Sequence, residues 1–472
     1  LPIVEQVNTI AVHHHWTPVS GATAALTSLR TFLAELPESE ILTVRDEVDP
    51  DYFKTALALE CDARQRDPVI RFERPAGFDA PIVTNLFADR ARIARMAGTT
   101  RERFNETFAR ALNALVPATV VQDGPIHEVV QVGDAVDVRT LPISRHFEGD
   151  AGRYISSGIL VCKDPDTGVR NLSFQRLQLK GPDRFGASLH SRGHIWEHLQ
   201  RCQARGKNLE VAVVIGCHPA VYLAGAAKVA MEVDEFEVAG ALLGKPVELV
   251  RCKTIDVEVP AQAEYVLEGE ILADVHEDEG PFGEYTGYST SRSTRNVFVV
   301  KAITRRARPI YLDIVPGYSN EHLLLGRSAK EAFVFSRLKE LVPNLVALNY
   351  PKSGTHFHAY LSLKKSAEGQ ARHAMMLLLG LDNYLKLVVA VDDDVDVYRE
   401  DEVLWAMATR FQADTDMFMV PKVFCNRLDP SSVDGMSAKL AIDATAPLQA
   451  EAVRHNLPAE AVAWARQFLD RH

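Results

Sequence analysis

The sequence predicts a mixed α/β protein, with helix-and-strand regions at either end of a β-rich centre. Three observations carry that prediction. At 472 residues the chain exceeds one ordinary hydrophobic core. Residues 125–315 hold many short apolar runs punctuated by Gly and Pro, as in a barrel or sandwich. The flanking regions alternate strand-length with helix-length patterns, which marks α/β layers. The boundaries give an N-terminal α/β domain (1–124), a β-rich domain (125–315), a C-terminal α/β domain (316–447) and a terminal helix (448–472).

In the first region, residues 24–36 have helical periodicity and 41–45 alternate like a strand. Residues 92–116 read as helix, with Gly98 as the break. The centre supplies strand-sized runs at 159–162, 211–215, 247–257, 264–272, 297–304 and 310–315. Helices interrupt it at 194–205 and 235–243. The third region predicts a helix at 328–341, a strand at 358–364, a helix at 367–379, a strand at 385–391 and a helix at 402–411. The tail reads as an amphipathic helix broken at Pro458. There Ala452, Val453, Leu457, Val462, Trp464 and Phe468 are free to pack on a neighbouring domain or subunit.

A hydrophobic share of 47% and a charged share of 24% are those of a soluble globular protein. The net charge of -11 argues against a nucleic-acid partner. No apolar run reaches the length of a membrane span, and no signal peptide is recognisable, so a cytoplasmic protein is expected. The six cysteines lack any CxxC spacing, which fits reduced thiols. His13-His14-His15 reads as incidental.

The most informative stretch is Glu279-Gly-Pro-Phe-Gly-Glu284-Tyr-Thr-Gly-Tyr288. Two carboxylates sit on a segment stiffened by Pro281 and hinged by Gly280, Gly283 and Gly287. Paired acids in unequal environments can divide into a proton donor and a charged partner. Composition alone favours a solvated acidic turn, since His276-Glu277-Asp278 precede it. The upstream strand Asn171-Leu-Ser-Phe-Gln-Arg176 alters that reading. Alternation sends Asn171, Ser173 and Gln175 to one face, and Arg176 to the other unless the chain bends. An Arg near two glutamates favours the ionised form of the closer one. His190, His194 and His198 recur every fourth residue, but such a spacing without a third ligand is a weak zinc signal. Glu235, after Asp234 at a helix start, also suits favourable helix-terminus charge.

Taken in order, the Asn171–Arg176 strand, Gly193-His194-Ile195, Asp234-Glu235 before Phe-Glu-Val-Ala-Gly, and Glu279–Glu284 resemble the motif set of the UbiD family. The resemblance runs from about residue 135 to 445 and includes Asp392–Asp396, Leu404–Arg410 and Ser437–Asp443. That family comprises decarboxylases that use prenylated flavin mononucleotide (prenylated FMN). The resemblance implies a central split β-barrel that binds the flavin, flanked by an N-terminal α/β domain and a C-terminal α/β oligomerisation domain. It makes Asn171, His194 and Glu235 the ligands of Mn2+ (or Mg2+), bridging to the cofactor phosphate. Hard oxygen ligands with one imidazole suit that ion. It also implies K+ held by backbone carbonyls of Ala224, Gly225 and Ala227 with Glu235, although Lys228-Val-Ala-Met-Glu232 departs from the usual proline-containing loop. Ser173, Phe174, Gln175, Arg176, Gly193 and Lys386 become further cofactor contacts, Lys386 toward the phosphate.

The resemblance further casts Arg176, Glu279 and Glu284 as the catalytic network. The implied reaction is a cycloaddition of an unsaturated acid on the flavin and loss of carbon dioxide, followed by protonation from Glu284. A flavin prenyltransferase would supply the cofactor, and a homodimer or higher homo-oligomer is expected. Within the family, Asn320 and Arg327 match positions that in pyrrole- and furan-carboxylate enzymes face substrate, as a hydrogen-bonding amide and a carboxylate clamp. Asn320 in a turn and Arg327 paired with Glu331 at i, i+4 is the structural alternative. A phenolic or cinnamic-type acid is the alternative substrate. Gly240–Lys245 misses the phosphate-loop pattern, and Asp392–Asp396 lacks the Gly and Glu of a calcium loop. A non-catalytic flavin-binding subunit would not need Arg176, Glu279 and Glu284.

Overall fold

A computed structural model describes residues 27–189, 193–450, 454–455 and 457–469. The histidines at 13–15, His190, Ala452 and Val453 lie outside these residues, as does the start of the helix expected at 24–36.

Near the N-terminus, Ser28 caps the helix Leu29–Ala34 by accepting from the Thr31 amide. Strand Ile41–Val48 runs parallel to Val69–Pro75, which pairs antiparallel with Ile82–Thr84. The fourth strand of this sheet is Tyr311–Leu312. The apolar run at 310–315, grouped with the centre by sequence, thus joins the N-terminal sheet. Such a run reports burial and leaves open which sheet provides it. Gly98, with φ +62°, separates the helices Arg90–Met96 and Phe104–Asn113.

The centre is a nine-stranded antiparallel sheet. Arg170–Phe174 lies at one end of its strand order and Arg176–Leu179 lies next to the other end. Only Gln175 separates these two strands, so the sheet curls until its ends approach, forming a half-barrel. The expected strand at 247–257 is instead two strands, Glu248–Arg251 and Glu258–Pro260. The chain turns between them because the Lys253 and Thr254 amides bond the buried Glu268 carboxylate at 2.7–3.0 Å.

The third region opens on the helix Asn320–Leu341, whose cap is Ser319, accepting from His322 N at 3.1 Å. It begins well before residue 328 because Pro316-Gly317-Tyr318, which reads as a turn, ends at that cap. A five-stranded sheet follows, in the order Leu345–Asn349, His358–Leu363, Leu387–Asp392, Met436–Asp443, Met417–Phe424. The last two strands escape the sequence reading. Pro421 argues against a central strand, and Met417–Phe424 is in fact an edge strand bulged at Lys422 (φ +55°). The Asp392–Asp396 turn is held by Arg410, which reaches Asp392 at 2.6 Å and Asp394 at 2.7 Å.

The tail helix spans Ala459–Leu469, just after Pro458. The expected helical run from 448 does not form at 448–450, and the helix begins just past Pro458, as proline suits a helix start. None of this helix is buried, and Trp464 is 66% exposed. No helix among the described residues is long and apolar enough to cross a membrane.

Candidate active site

The corner at Gln175 decides where the functional side chains go. Upstream of it, Asn171 is buried on the outer strand; downstream, Arg176 starts a strand whose neighbours are Arg184–Ser188 and Tyr154–Ile155. The bend that the alternation pattern required for Arg176 is therefore present. Arg176 Nε and Nη2 donate to both oxygens of Glu279, at 2.9 and 3.0 Å. Its Nη1 donates to one oxygen of Glu284 at 2.7 Å, and Nη2 also donates to Arg292 O at 2.8 Å. The guanidinium lies 5.2 Å from the Phe282 ring centroid.

The two acids are not equivalent. The Glu279 side chain is 0% exposed and held bidentately, whereas Glu284 is 16% exposed and engaged through one oxygen. Burial works against the Arg176 charge, but its carboxylate partners outweigh it and hold its pKa above the usual value. The loop between the acids forms a small hairpin, Phe282–Gly283 on Ser289–Thr290. Gly280 (φ +90°) and Gly287 (φ +83°) take backbone conformations that favour glycine. Gly186 leaves room for Glu279: a Cβ there would meet the Glu279 side chain at 3.2 Å.

A second constellation lies one turn of chain away. Asn171 Nδ2 donates to Glu235 Oε1 at 2.9 Å and sits 3.4 Å from His194 Nδ1. The other Glu235 oxygen accepts from Leu172 N at 2.9 Å. Glu235 is placed by its helix, Glu235–Leu243, which starts at the Asp234 cap and ends at Gly244 (φ +68°). Asp234 is fixed in turn by Arg170 at 2.6 Å. His194 opens the helix His194–Gln203, with Gly193 at its cap. Burial pushes the Glu235 carboxyl up to about 8 and holds the His194 imidazole below its usual value. Asn171 Oδ1 and Ser173 Oγ are buried without a hydrogen-bond partner. Orphaned oxygens beside a buried carboxylate and a neutral imidazole suit a hard divalent cation, whose charge would reverse the desolvation effect on Glu235. His198 does not join them; its Nδ1 lies 4.0 Å from Asp164.

Helix Pro219–Gly225 ends beside this cluster, with Gly225 against Leu172 and Phe174. The Ala224 carbonyl accepts from Ala227 N at 3.0 Å, so Ala224, Gly225 and Ala227 lie at a helix C-terminus, the end that favours cations.

The remaining expected residues occupy the third region. Asn320 Nδ2 donates to Ala88 O at 2.7 Å and to Asp67 at 3.1 Å, while its Oδ1 accepts from Arg327 Nη2 at 3.3 Å. Glu331 pairs with Arg90 at 3.0 Å, so the alternative Arg327–Glu331 pairing does not form. Arg327 is buried, with Nε and Nη1 lacking partners, and burial pulls its pKa down to about 9. Its neighbour Gly326 lies against His356, whose ring stands edge-on to Tyr285 at 5.0 Å. Lys386 is held in the C-terminal sheet by Asp429 at 3.0 Å and Ser431 at 2.6 Å, and is not joined to the Asn171 cluster. His322 and His356 escaped the sequence reading; His356 lies in the left-handed region (φ +67°), a strain that sequence does not signal.

Three family models match in chain order: the 3-octaprenyl-4-hydroxybenzoate carboxy-lyase N-terminal domain over residues 37–112, its Rift-related domain over 119–319 and its C-terminal domain over 323–444. Anhydromevalonate phosphate decarboxylase of Methanothermobacter thermautotrophicus is 35% identical across 89% of this chain and 97% of its own length. Phenolic acid decarboxylase of Bacillus subtilis is 32% identical across 94% and 99%. The UbiD-class enzyme HmfF from Pelotomaculum thermopropionicum, solved in complex with FMN, is 42% identical with a TM-score of 0.88, covering 93% of this chain and 99% of that one. An evolved dimeric form of HmfF in complex with prFMN is 39% identical with a TM-score of 0.85, covering 92% and 98%. Matched along nearly its whole length, with a half-barrel between two α/β regions, the chain belongs to the UbiD family of decarboxylases.

Proposed function

We propose that this protein decarboxylates an aromatic or heteroaromatic acid of pyrrole or furan type, reversibly and without oxidation, using prenylated FMN. One observation carries the assignment of roles: Arg176 grips Glu279 with two hydrogen bonds and Glu284 with one. Glu279 is the buried, bidentate partner that keeps Arg176 fixed. Glu284, more exposed and half engaged, is the group able to accept a proton from solvent and deliver it to the carbon that loses its carboxylate. When bound, the prenylated flavin supplies the electron sink for loss of carbon dioxide.

Asn171, His194 and Glu235 would hold Mn2+ (or Mg2+) and through it the flavin phosphate. The Ala224, Gly225 and Ala227 carbonyls would hold K+. Ser173, Phe174, Gln175 and Gly193 line the approach to that phosphate site, and Lys386 would reach it only after leaving Asp429. Chelation should release both metal and flavin, and Glu235→Ala should purify with flavin content reduced at least tenfold, restored by Mn2+ only in the wild type. Metal analysis and flavin absorbance after desalting check this. Full flavin retention after chelation would refute the metal bridge.

Arg327 is the proposed anchor for the substrate, with Asn320 orienting it. A charge-assisted hydrogen bond is worth roughly 1.5–3 kcal/mol, so Arg327→Met should lower kcat/KM by about 10–100-fold. Thermal stability should not fall, because the variant removes a buried cation with unmet donors. Asn320→Ala should shift the preference between pyrrole and furan acids; unchanged profiles in both variants would remove this pair from substrate recognition. A phenolic or cinnamic-type acid is the second reading, favoured by the likeness to phenolic acid decarboxylase. Screening both acid classes for carbon dioxide release, after co-expression with a flavin prenyltransferase, decides between them. The same reading puts the reaction in the cytoplasm, with domains at 1–124, 125–315 and 316–447, except that Tyr311–Leu312 belongs to the N-terminal sheet. It assigns the exposed tail helix, where Trp464 and Phe468 stack at 5.5 Å, to contact with a second copy.

A further inference from the structure

The loop bearing Glu279 and Glu284 has little regular pairing: Phe282–Gly283 with Ser289–Thr290, the turn bonds from Glu284 N to Tyr288 O and Gly287 N to Glu284 O at 3.0 Å, and Gly280 N on Gln178 at 3.2 Å. A different segment holds it. Asp150 is 1% exposed and its carboxylate is divided between two duties. Its Oδ1 accepts from Gly283 N at 2.9 Å, immediately before Glu284. Its Oδ2 accepts from Phe147 N at 2.9 Å and His146 N at 3.2 Å, tying the same carboxylate to its own turn. Next to it, Ala151 N donates to Pro281 O at 2.8 Å, and Tyr154 OH donates to the same oxygen at 3.2 Å. Arg145 closes the turn from outside by donating to the Glu148 and Asp150 carbonyls.

Packing repeats the arrangement. The Phe147 ring lies so close to Gly283 and Gly317 that a Cβ on either would come within 2.8 Å of it. Gly317 leads into the segment that begins the Asn320–Leu341 helix. The turn is itself anchored in the core, where His146, Lys54 and Asp313 form a fully buried group, with His146 Nε2 at 3.1 Å from Asp313. Ser156 also donates to Asp313, at 3.1 Å. Residues 145–154 thus clasp the acid loop on one side and the 313–319 segment on the other.

We propose that Asp150 is a positioning residue for the decarboxylation, holding the Gly283 amide so that Glu284 stays in register with Arg176. The assignment rests on the proposed role of Glu284. Asp150 is hydrogen-bonded to neither Arg176 nor Glu284, so its removal deletes no catalytic group but frees Glu284 to wander. A misplacement of about 1 Å in a reacting group costs roughly 100-fold in rate.

The test compares Asp150→Ala and Asp150→Asn with the wild-type holoenzyme. In Asp150→Ala, kcat should fall roughly 100-fold with KM within about threefold and bound flavin unchanged. Hydrogen–deuterium exchange should rise in peptides covering 279–288 while the rest of the central sheet keeps its protection. Asp150→Asn retains one acceptor oxygen and should fall between the two in both readouts; it also serves if the alanine variant does not fold. Wild-type exchange at 279–288 in a folded variant would overturn the clamp, whatever the activity. Increased exchange with unchanged kcat would overturn the positioning role. If the wild-type enzyme turned over no acid, the proposed reaction would fail, and the exchange measurement would still decide the clamp.

Discussion

Replacing Glu284 with Gln is expected to lower turnover by roughly 1,000-fold, within the range general acids contribute, while flavin and metal stay bound. The substitution is nearly isosteric. The amide oxygen of Gln can still accept from Arg176 Nη1, as Glu284 does at 2.7 Å, so the loop and Arg176 need not move. What disappears is the proton the carboxyl can deliver and recover from solvent. The Asn171 cluster lies on the other side of the Gln175 corner and has no contact with Glu284, so cofactor content should be untouched. Flavin absorbance, metal analysis and carbon dioxide release on one preparation check the three expectations together. Turnover within tenfold of wild type would remove Glu284 from the donor role. Glu284→Asp should land between, since it keeps the acid and shortens its reach.

That such variants could be chosen from sequence reflects what motif order and local chemistry make legible. Glu279 and Glu284 share a Gly- and Pro-marked loop and Arg176 ends an alternating strand, but residue type and spacing alone favoured a solvated turn and a surface cation; the order of several motifs, resembling the UbiD set, pointed to them. The helix start at Asp234 was local, and the structure has a helix there, Glu235–Leu243. The long-range placements were not legible. Tyr311–Leu312 crosses into the N-terminal sheet because parallel pairing with Ile82–Thr84 buries it there, and no pattern within the run encodes that partner. Asp150 carried no motif, since the acid-loop amide it accepts from, Gly283 N, is 133 residues away. His356 likewise depends on a left-handed turn held by the surrounding fold. Arg327 was legible as a cation; that two of its donors stay unmet required the packing around it.

Removing the Arg176 charge is expected to damage stability as well as chemistry, and the two effects can be separated. Glu279 is 0% exposed, and both of its oxygens depend on Arg176. Arg176→Met fills similar volume but strands that carboxylate in the core, and breaking a buried pair from one side costs about 3–5 kcal/mol. For a chain of this size the loss should appear as a lower thermal midpoint together with undetectable turnover. Arg176→Lys keeps a charge but cannot bond both Glu279 oxygens and Glu284 at once, so it should recover part of the stability and little of the activity. The decisive comparison is the double variant Arg176→Met with Glu279→Met. With both charges gone no unpaired group remains buried, and the midpoint should return most of the way to wild type. Turnover should not return, because Glu284 has lost the guanidinium that orients it. A single Arg176→Met variant as stable as wild type would mean that Glu279 is neutral in the folded protein. In that case the charged-partner role would pass to Glu284, and the proton donor would have to be sought in Glu279.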